Sequence, residues 1–309
     1  MNFLFVSNTD SAEDWSRALS DIRPDIKTQI YPNIADPSAI DYALVWRPPA
    51  GLLASLPNLK LIFSVGAGVD GLIEDPTLPA GVPVVRMVDQ GLTEGMTEYV
   101  VWQVMNRHRR AALYRQDQQA RRWRPRHLKL ARNRSVGVLG LGEIGRDAAR
   151  MLSALRFQVL GWSRTPKSIA GIDCHHGGEG LKAVARKAEI LVCLLPLTDE
   201  TAGILNRDLF ALMPRGAYLI NAARGGHLVE ADLLAALEGG ALIGASLDVF
   251  REEPLPQDHP FWSHPDITMT PHDASLTSPA SGVRSIAEAM ACHEAGRPVP
   301  NVVDLTRGY

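Results

Sequence analysis

Cysteine is scarce in this chain of 309 residues, which has three: Cys174, Cys193 and Cys292. An odd, sparse set does not build a disulfide scaffold and fits a reducing cytoplasm. Cys193 lies in the apolar run ILVCLLP and reads as core packing. No apolar run reaches the roughly 18 residues that mark a membrane span. The N-terminus MNFLFVSNTD lacks the basic region of a signal peptide and reads as a first strand. Charge of one sign is also missing. The formal net charge is -2, which gives no electrostatic case for nucleic acid or an anionic membrane surface. There is no tandem repeat, low-complexity tract or disordered tail. A cytoplasmic location is expected.

Some local features stand out against this even background. RHRR (107–110) and RRWRPRHLK (121–129) are basic. They read as a solvated helix face with its loop, or as a local role near an anionic ligand or a partner subunit. Cys174-His175-His176 is the one dense set of ligand-type residues. Adjacent histidines diverge, and no second half with zinc spacing follows, so no metal is expected.

Apolar residues make up 46% of the chain and charged residues 21%, an ordinary globular balance at a length that favours two domains. NFLFVS (2–7), YALVW (42–46), LKLIFSVGAG (59–68) and VPVVRM (82–87) read as strands, with room for crossover helices between them. From Thr97 the pattern changes to one long helix, TEYVVWQVMNRHRRAAL, with Val101, Val104, Met105 and His108 near one face. A larger α/β unit follows. Its strands are RSVGVLG, FQVLGWS, AEILVCLLP, GAYLINAA, ALIGASLDVF and DITMTPH. EIGRDAARMLSAL is a helix with Ile144, Ala148, Met151, Leu152 and Leu155 at helical spacing. LVEADLLAALEGG is another, ending at glycines. SPASGVRSIAEAMACHEAG closes the chain and is expected to pack back on the first domain. The expected fold class is α/β, with two Rossmann-like doubly wound parallel-sheet domains and a cleft between them. The expected division is 1–98 plus 283–309 for a discontinuous substrate domain, and 99–282 for a dinucleotide-binding domain.

Gly140-Leu141-Gly142-Glu143-Ile144-Gly145 is a G-x-G-x-x-G between a strand and an amphipathic helix, the context that dinucleotide binding requires. The first glycine makes the turn, the second lets the pyrophosphate approach, and Gly145 lets helix and strand pack. At the tip of the next strand an acidic residue would accept the ribose diol of NAD. Here the tip reads Ser163-Arg164-Thr165, with Lys167 nearby. Two hydroxyls and a guanidinium suit a 2′-phosphate better, so NADPH is expected over NADH.

Three further pieces lie just beyond strands: Asn221-Ala222-Ala223-Arg224-Gly225-Gly226, Asp248 to Pro254 (DVFREEP), and Pro271-His272-Asp273-Ala274-Ser275. Open sheets place ligands at such ends. An arginine can clamp a carboxylate bidentately. A histidine can protonate a carbonyl oxygen near neutral pH, and a carboxylate can keep it protonated. Singly, Arg224 also reads as a surface ion-pair residue, His272 as a strand cap and Glu253 as a turn residue.

Together these pieces resemble the D-2-hydroxyacid dehydrogenase family, in particular its glyoxylate/hydroxypyruvate reductase (GhrA-like) branch. The resemblance covers nearly the whole chain and is densest from Val136 to Ser275. It implies that Arg224 binds and polarises substrate, that His272 is the acid/base, and that Glu253, the second glutamate before Pro254, is its partner. It implies substrate contacts at Ala67 and Gly68 in the loop SVGAGVD. Trp46-Arg47 is similar to the branch's WHPP segment, with arginine in place of histidine. Arg47 reads either as a carboxylate ligand or as a strand cap. The resemblance further implies cofactor contacts at Leu195, Pro196, Thr201, Ala222, Ala223, Asp248, His272 and Ala274, besides the glycine loop and the Ser163–Thr165 tip. The branch carries a WSR segment at that tip and favours NADPH. The implied reaction is reduction of glyoxylate or hydroxypyruvate to the D-2-hydroxy acid by a homodimer formed through the nucleotide domains. Other D-2-hydroxyacid, formate or phosphite dehydrogenases and non-catalytic NAD(P)-sensing proteins share the pattern and stay open as alternatives. Asp273 departs from the aliphatic residue usual after the histidine, and the VVRMVDQGL loop differs from the common pattern.

Overall fold

The computed structural model describes residues 1–305. The last four residues of the expected 283–309 segment lie outside the described residues. The chain forms two compact units, Met1–Leu92 together with the chain from Leu276 onward, and Thr93–Ser275. The boundaries fall at 92 and 275 rather than at the expected 98 and 282. The change of pattern at Thr97 lies inside a helix that has already begun.

The first unit runs β1 (Asn2–Val6), α1 (Ala12–Ile22), β2 (Lys27–Ile30), β3 (Ile40–Val45), β4 (Leu61–Ser64), α2 (Asp70–Ile73) and β5 (Val84–Val85). Its sheet has the order β2-β1-β3-β4-β5, with every pair parallel. Period-two alternation sorts the strand residues. Phe3, Phe5, Tyr42, Leu44, Leu61 and Phe63 form one core with Trp15 and Leu19 of α1. Leu4, Val6, Ala43, Val45 and Ile62 form another on the opposite face. Burial on both faces is why these strands read as continuous apolar runs. Each large apolar side chain so buried contributes about 1.5–3 kcal/mol. Ser11 caps α1 by accepting from the Asp14 amide.

The next helix, α3 (Gln90–His108), starts seven residues before Thr97. Asp89 begins it, its Oδ2 accepting from the Leu92 amide at 3.0 Å. The single long helix expected from Thr97 is two helices. Arg110 takes a left-handed conformation, φ 59°, and separates α3 from α4 (Ala111–Gln119). The RHRR run is correspondingly split. Arg109 and Arg110 are exposed, while His108 is buried with its ring 5.0 Å from that of Phe157.

The second unit continues with β6 (Ser135–Leu139), α5 (Glu143–Ala154), β7 (Gln158–Ser163), β8 (Asp173–His176), α6 (Gly177–Lys187), β9 (Ile190–Cys193), α7 (Arg207–Leu212), β10 (Ala217–Asn221), α8 (Glu230–Glu238), β11 (Leu242–Leu247) and β12 (Ile267–Met269). Its seven strands are parallel in the order β12-β11-β10-β9-β6-β7-β8. The order reverses between β6 and β9, the switch point at which such sheets receive ligands. One face packs Val136, Val138, Ile190, Val192 and Ile220 against Val100 and Val104 of α3 and Ala148, Ala149 and Leu152 of α5. Met151 and Leu155, at the expected helical spacing, are exposed. The inward stripe of α5 is Gly145, Ala148, Ala149 and Leu152 instead. The other face includes Cys193, Leu219 and Leu247.

Cys174-His175-His176 forms the edge strand β8. Among the described residues no group of three or more His, Cys, Asp and Glu could hold a metal ion. Nor is any helix among them long and apolar enough to cross a membrane. The chain then returns to the first unit in α9 (Pro279–Glu294). Its Val283, Ile286, Ala289 and Met290 complete the core beneath Phe3 and Phe5.

Candidate active site

The loop after β6 has the geometry that the glycine spacing calls for. A Cβ on Gly145 would sit 1.8 Å from the Gly140 carbonyl oxygen, so only glycine lets α5 start this close to the strand. Gly142 is the N-cap of α5 and offers no side-chain cap. A Cβ there would meet nothing within 4 Å. The first amides of α5 therefore face an open approach with no side-chain acceptor from the cap, the condition under which a helix N-terminus holds a pyrophosphate. Glu143 in the first turn pairs with Arg146, which reduces its repulsion of an anion. Leu141 is buried, its side chain lying against Gly161, so it can offer only backbone. Ile144 is half-buried.

At the end of β7, Ser163 is buried and its hydroxyl donates to the Thr165 carbonyl at 2.8 Å. That hydroxyl shapes the turn. Arg164 is half exposed, with Nη1 3.7 Å from Glu200 Oε2, and Thr165 and Lys167 are exposed. In the loop after β9, Leu195 is buried and Pro196 exposed. The Thr201 hydroxyl, expected as a cofactor contact, donates to the Pro196 carbonyl at 2.7 Å and so folds its own loop.

After β10, Ala222 and Ala223 are buried. The Asn221 side-chain amide donates to the Arg224 carbonyl at 3.1 Å. Arg224 Nη1 donates to the Ala223 carbonyl at 2.7 Å. A Cβ on Gly225 would lie 1.9 Å from the Phe250 carbonyl carbon, so the turn after Arg224 is seated directly on the loop after β11.

That loop and the one after β12 hold the acid/base pair. Glu253 Oε2 lies 2.8 Å from His272 Nδ1. Glu253 Oε1 accepts from the Phe250 amide at 2.9 Å, which leaves the carboxylate little rotational freedom. The neighbouring Glu252 is exposed. His272 has φ 58°, an uncommon state for a residue with a Cβ and one that clusters at functional sites. Asp248 holds it there. The His272 amide donates to the Asp248 carbonyl at 2.8 Å. The Asp248 carboxylate accepts from the amides of Asp273 and Ala274, each at 3.1 Å, and from the Thr270 hydroxyl at 2.6 Å. With its own hydrogen committed, Thr270 accepts from Tyr99 of α3 at 2.9 Å. Burial pushes the Asp248 carboxyl above its ordinary value despite these donors. Asp273 is exposed and Ala274 buried.

In the first unit the expected substrate residues sit at the ends of β3 and β4. Trp46 packs so closely on the second loop that a Cβ on Gly66 would be 2.8 Å from its ring. Arg47 has φ 46° and stacks over Trp46, 5.9 Å from the ring centre. The Ser64 hydroxyl donates to the Gly68 carbonyl at 3.2 Å and accepts from the Gly66 amide at 3.2 Å. It fixes the turn that carries Ala67 and Gly68.

Glu253 and His272 are thus brought together, and the glycine loop, Arg164, Arg224 and the pair all lie beyond strand ends of one sheet edge. The hydroxyls of Ser163 and Thr201 turn to their own loops. Sequence reasoning missed Asn221, His227, Thr270 and Tyr99. The first three lie within or beside the pieces already singled out, and their role is to hold backbone, which leaves little trace in spacing. Tyr99 sits in the long helix, among residues read only for their packing.

Residues 101–274 match the family model of the D-isomer specific 2-hydroxyacid dehydrogenase NAD binding domain. The chain belongs to the D-isomer specific 2-hydroxyacid dehydrogenase family. Within it the chain falls in the glyoxylate/hydroxypyruvate reductase A-like branch. It is 45% identical to glyoxylate/hydroxypyruvate reductase A of Serratia proteamaculans (strain 568) over 314 residues, covering 100% of both chains. It superposes on a D-isomer specific 2-hydroxyacid dehydrogenase of Xanthobacter autotrophicus Py2, solved in complex with NADPH and MES, with TM-score 0.96. The identity there is 42%, covering 100% of this chain and 99% of that one. An NADPH-dependent glyoxylate/hydroxypyruvate reductase of Sinorhizobium meliloti, in complex with NADP and sulfate, gives TM-score 0.94 at 38% identity over 100% of both chains.

Asp248 generates a pH prediction. Its native carboxyl titrates above the ordinary 3.8, so between those values the native state binds more protons than the unfolded chain. Stability from this group is present at low pH and declines as pH rises through that window. Asp248→Asn can keep Oδ1 as acceptor for Thr270 and both amides but cannot titrate. The stability of wild type relative to Asp248→Asn, measured as urea midpoints over a pH series, is expected to fall as pH rises above 3.8. A difference flat across the series would contradict the buried-carboxylate account.

Proposed function

We propose that the chain is an NADPH-dependent reductase of small 2-oxo acids, glyoxylate or hydroxypyruvate, giving glycolate or D-glycerate. The observation that carries this reading is the pair of Glu253 and His272 at 2.8 Å, at the same sheet edge as Arg224. The Serratia relative is called glyoxylate/hydroxypyruvate reductase A, which supports the substrate class.

The residues present fit a dinucleotide. Amides from Gly140 to Gly145 would hold the pyrophosphate, Arg164 the 2′-phosphate, and the backbone near Leu195, Pro196, Ala222, Ala223, Asp248 and Ala274 the remainder. When bound, the nicotinamide supplies the hydride for the carbonyl carbon. His272 Nδ1–H donates to Glu253, which fixes the ring, so Nε2 is the nitrogen that delivers the proton to the carbonyl oxygen. Arg224 binds the carboxylate and polarises the carbonyl as negative charge develops. For the first unit, the same reading assigns the amides of Ala67 and Gly68 to the 2-oxo acid carboxylate, with Trp46 and Arg47 as neighbours.

The chain is proposed to work in the cytoplasm as a homodimer formed through the nucleotide-binding unit. Supporting the dimer, α3, α4 and the segment after them expose Trp102, Leu113, Tyr114 and Leu130, and Trp123 is 97% exposed. A second copy would cover these side chains. Light scattering is expected to give twice the chain mass at micromolar concentration, and a Trp123→Glu variant should shift toward monomer. A monomeric wild type would end this assignment.

Cofactor choice is testable at Arg164. Losing one charged hydrogen bond costs roughly 1.5–3 kcal/mol. Arg164→Gln is therefore expected to raise the KM for NADPH by about tenfold or more and to leave that for NADH nearly unchanged. Equal wild-type kcat/KM for the two cofactors would remove the phosphate role.

The acid/base assignment separates His272 from Glu253. His272→Asn should lower kcat by about 100-fold or more while NADPH still binds. Glu253→Gln loses the anionic acceptor that holds the His272 ring, so kcat should fall while the KM for NADPH stays near wild type. Steady-state profiles with glyoxylate and hydroxypyruvate decide both. Near wild-type turnover in His272→Asn would take the histidine out of the chemistry.

A further inference from the structure

His227 is fully buried, with 0% exposure, three residues past Arg224. Its Nδ1 lies 3.2 Å from the Arg224 amide, which donates to it. Its Nε2 lies 3.2 Å from the Pro196 carbonyl. One neutral tautomer satisfies both contacts, with Nε2 protonated and Nδ1 the acceptor. The same nitrogen approaches the Arg224 carbonyl at 3.1 Å, which in that tautomer is a contact rather than a hydrogen bond.

The ring's backbone is tied to the same place. The His227 carbonyl accepts from the Leu205 amide at 2.9 Å, and the Gly226 carbonyl from the Gly203 amide at 2.9 Å. Thr201 closes that segment onto Pro196. On its other side, Arg224 is extended (φ -143°, ψ 150°) and followed by Gly225, which has no room for a Cβ against Phe250. The imidazole joins the root of Arg224 to the loop after β9.

We propose that His227 is a positioning residue for the reaction. Through Nδ1 it sets the guanidinium of Arg224 toward the 2-oxo acid, and through Nε2 it sets the Pro196 loop toward the dinucleotide. The proposal rests on the roles given to Arg224 and Pro196 above. It makes the two ligand-binding loops depend on the two nitrogens of one ring, separately. A generic core histidine would not divide in this way.

Two amides imitate one nitrogen each. His227→Asn can place its Oδ1 near the position of Nδ1 and keep the Arg224 bond, but falls short of Pro196. His227→Gln can carry an N–H to the position of Nε2 and keep the Pro196 bond, but gives up the acceptor for Arg224. A lost hydrogen bond of ordinary strength corresponds to about a fivefold to tenfold change. His227→Asn is expected to raise the NADPH dissociation constant by about that factor, with the KM for glyoxylate or hydroxypyruvate within about twofold of wild type. His227→Gln is expected to raise the 2-oxo acid KM and lower kcat by about that factor, with NADPH binding nearly unchanged. Equal losses in both parameters for both variants, or no change in either, would overturn the proposal.

A second measurement needs no variant. Imidazole nitrogen NMR of the wild-type protein should show one neutral histidine protonated at Nε2, with a slowly exchanging proton. A His227 ring protonated at Nδ1 would break the bridge and overturn the proposal even if the variants do not fold. A wild type that binds NADPH but reduces neither acid would fail the activity reading alone. The NADPH titrations and the imidazole spectrum would still decide the role of His227.

Discussion

The carboxylate of Asp248 ties together the ends of three parallel strands, and the acid/base pair depends on that tie. Asp248 is 1% exposed. Its amide donates to the Asn221 carbonyl at the end of β10, and its side chain takes the Thr270 hydroxyl and two amides beyond β12. An ionised carboxylate in such a place would be costly without donors. With three groups donating to it, it becomes a rigid hub. The left-handed state of His272 costs on the order of 1–2 kcal/mol. The Asp248 carbonyl and Glu253 offset that strain, because both bonds exist only while the backbone turns this way. Tyr99 extends the hub to α3, so a helix of the nucleotide unit helps to set the histidine loop.

The opposite edge of the same sheet is arranged for stability rather than chemistry. Arg107 stacks over Tyr218 at 5.6 Å. Arg134 Nε lies 3.6 Å from Glu189, which also pairs with Lys129. Burial lowers the affinity of both Arg107 and Arg134 for their protons, yet arginine stays charged at any physiological pH. These cations sit where β6, β9 and β10 begin. Part of the basic composition around residues 107–134 is therefore internal packing, which a reading of charge along the chain treats as solvated.

What could be read from the sequence follows from what each residue does physically. β1, β3, β6, β9 and β10 are buried on both faces and announce themselves as apolar runs. The edge strands β2 (KTQI) and β8 (DCHH) have no buried core positions to betray them. They exist because a neighbouring strand offers hydrogen bonds. The glycine loop was legible because a Cβ on Gly145 would strike the Gly140 carbonyl of the same loop, while Gly140 itself takes a left-handed turn, φ 99°, against the backbone of Leu194. Arg224, Glu253 and His272 were legible as residue types at strand ends. Whether Glu252 or Glu253 meets the histidine is a matter of loop path, settled by the Phe250 amide. The hydroxyl of Ser163 suits a phosphate by its place at a strand end, and Thr201 is expected as a cofactor contact only by the family resemblance. Each instead satisfies a carbonyl of its own loop, a competition that spacing does not reveal.

Those two turned hydroxyls sharpen the account of cofactor choice. With Ser163 bonded to the Thr165 carbonyl, the tip of β7 distinguishes a phosphate from a ribose diol chiefly by charge. The tip carries Arg164 and has no carboxylate of its own strand to accept a diol. Arg164 stands 3.7 Å from Glu200, a pair with both side chains about half exposed or more. Pairs of that kind are worth about 0–1 kcal/mol, because water competes with them. Exchanging Glu200 for a phosphate therefore gives up little, while a bidentate guanidinium–phosphate contact is among the stronger hydrogen-bonded pairs. Glu200 keeps the guanidinium near the tip without holding it. An acidic residue in place of Ser163 would differ, since buried beside Arg164 it would keep the cation and repel the phosphate together.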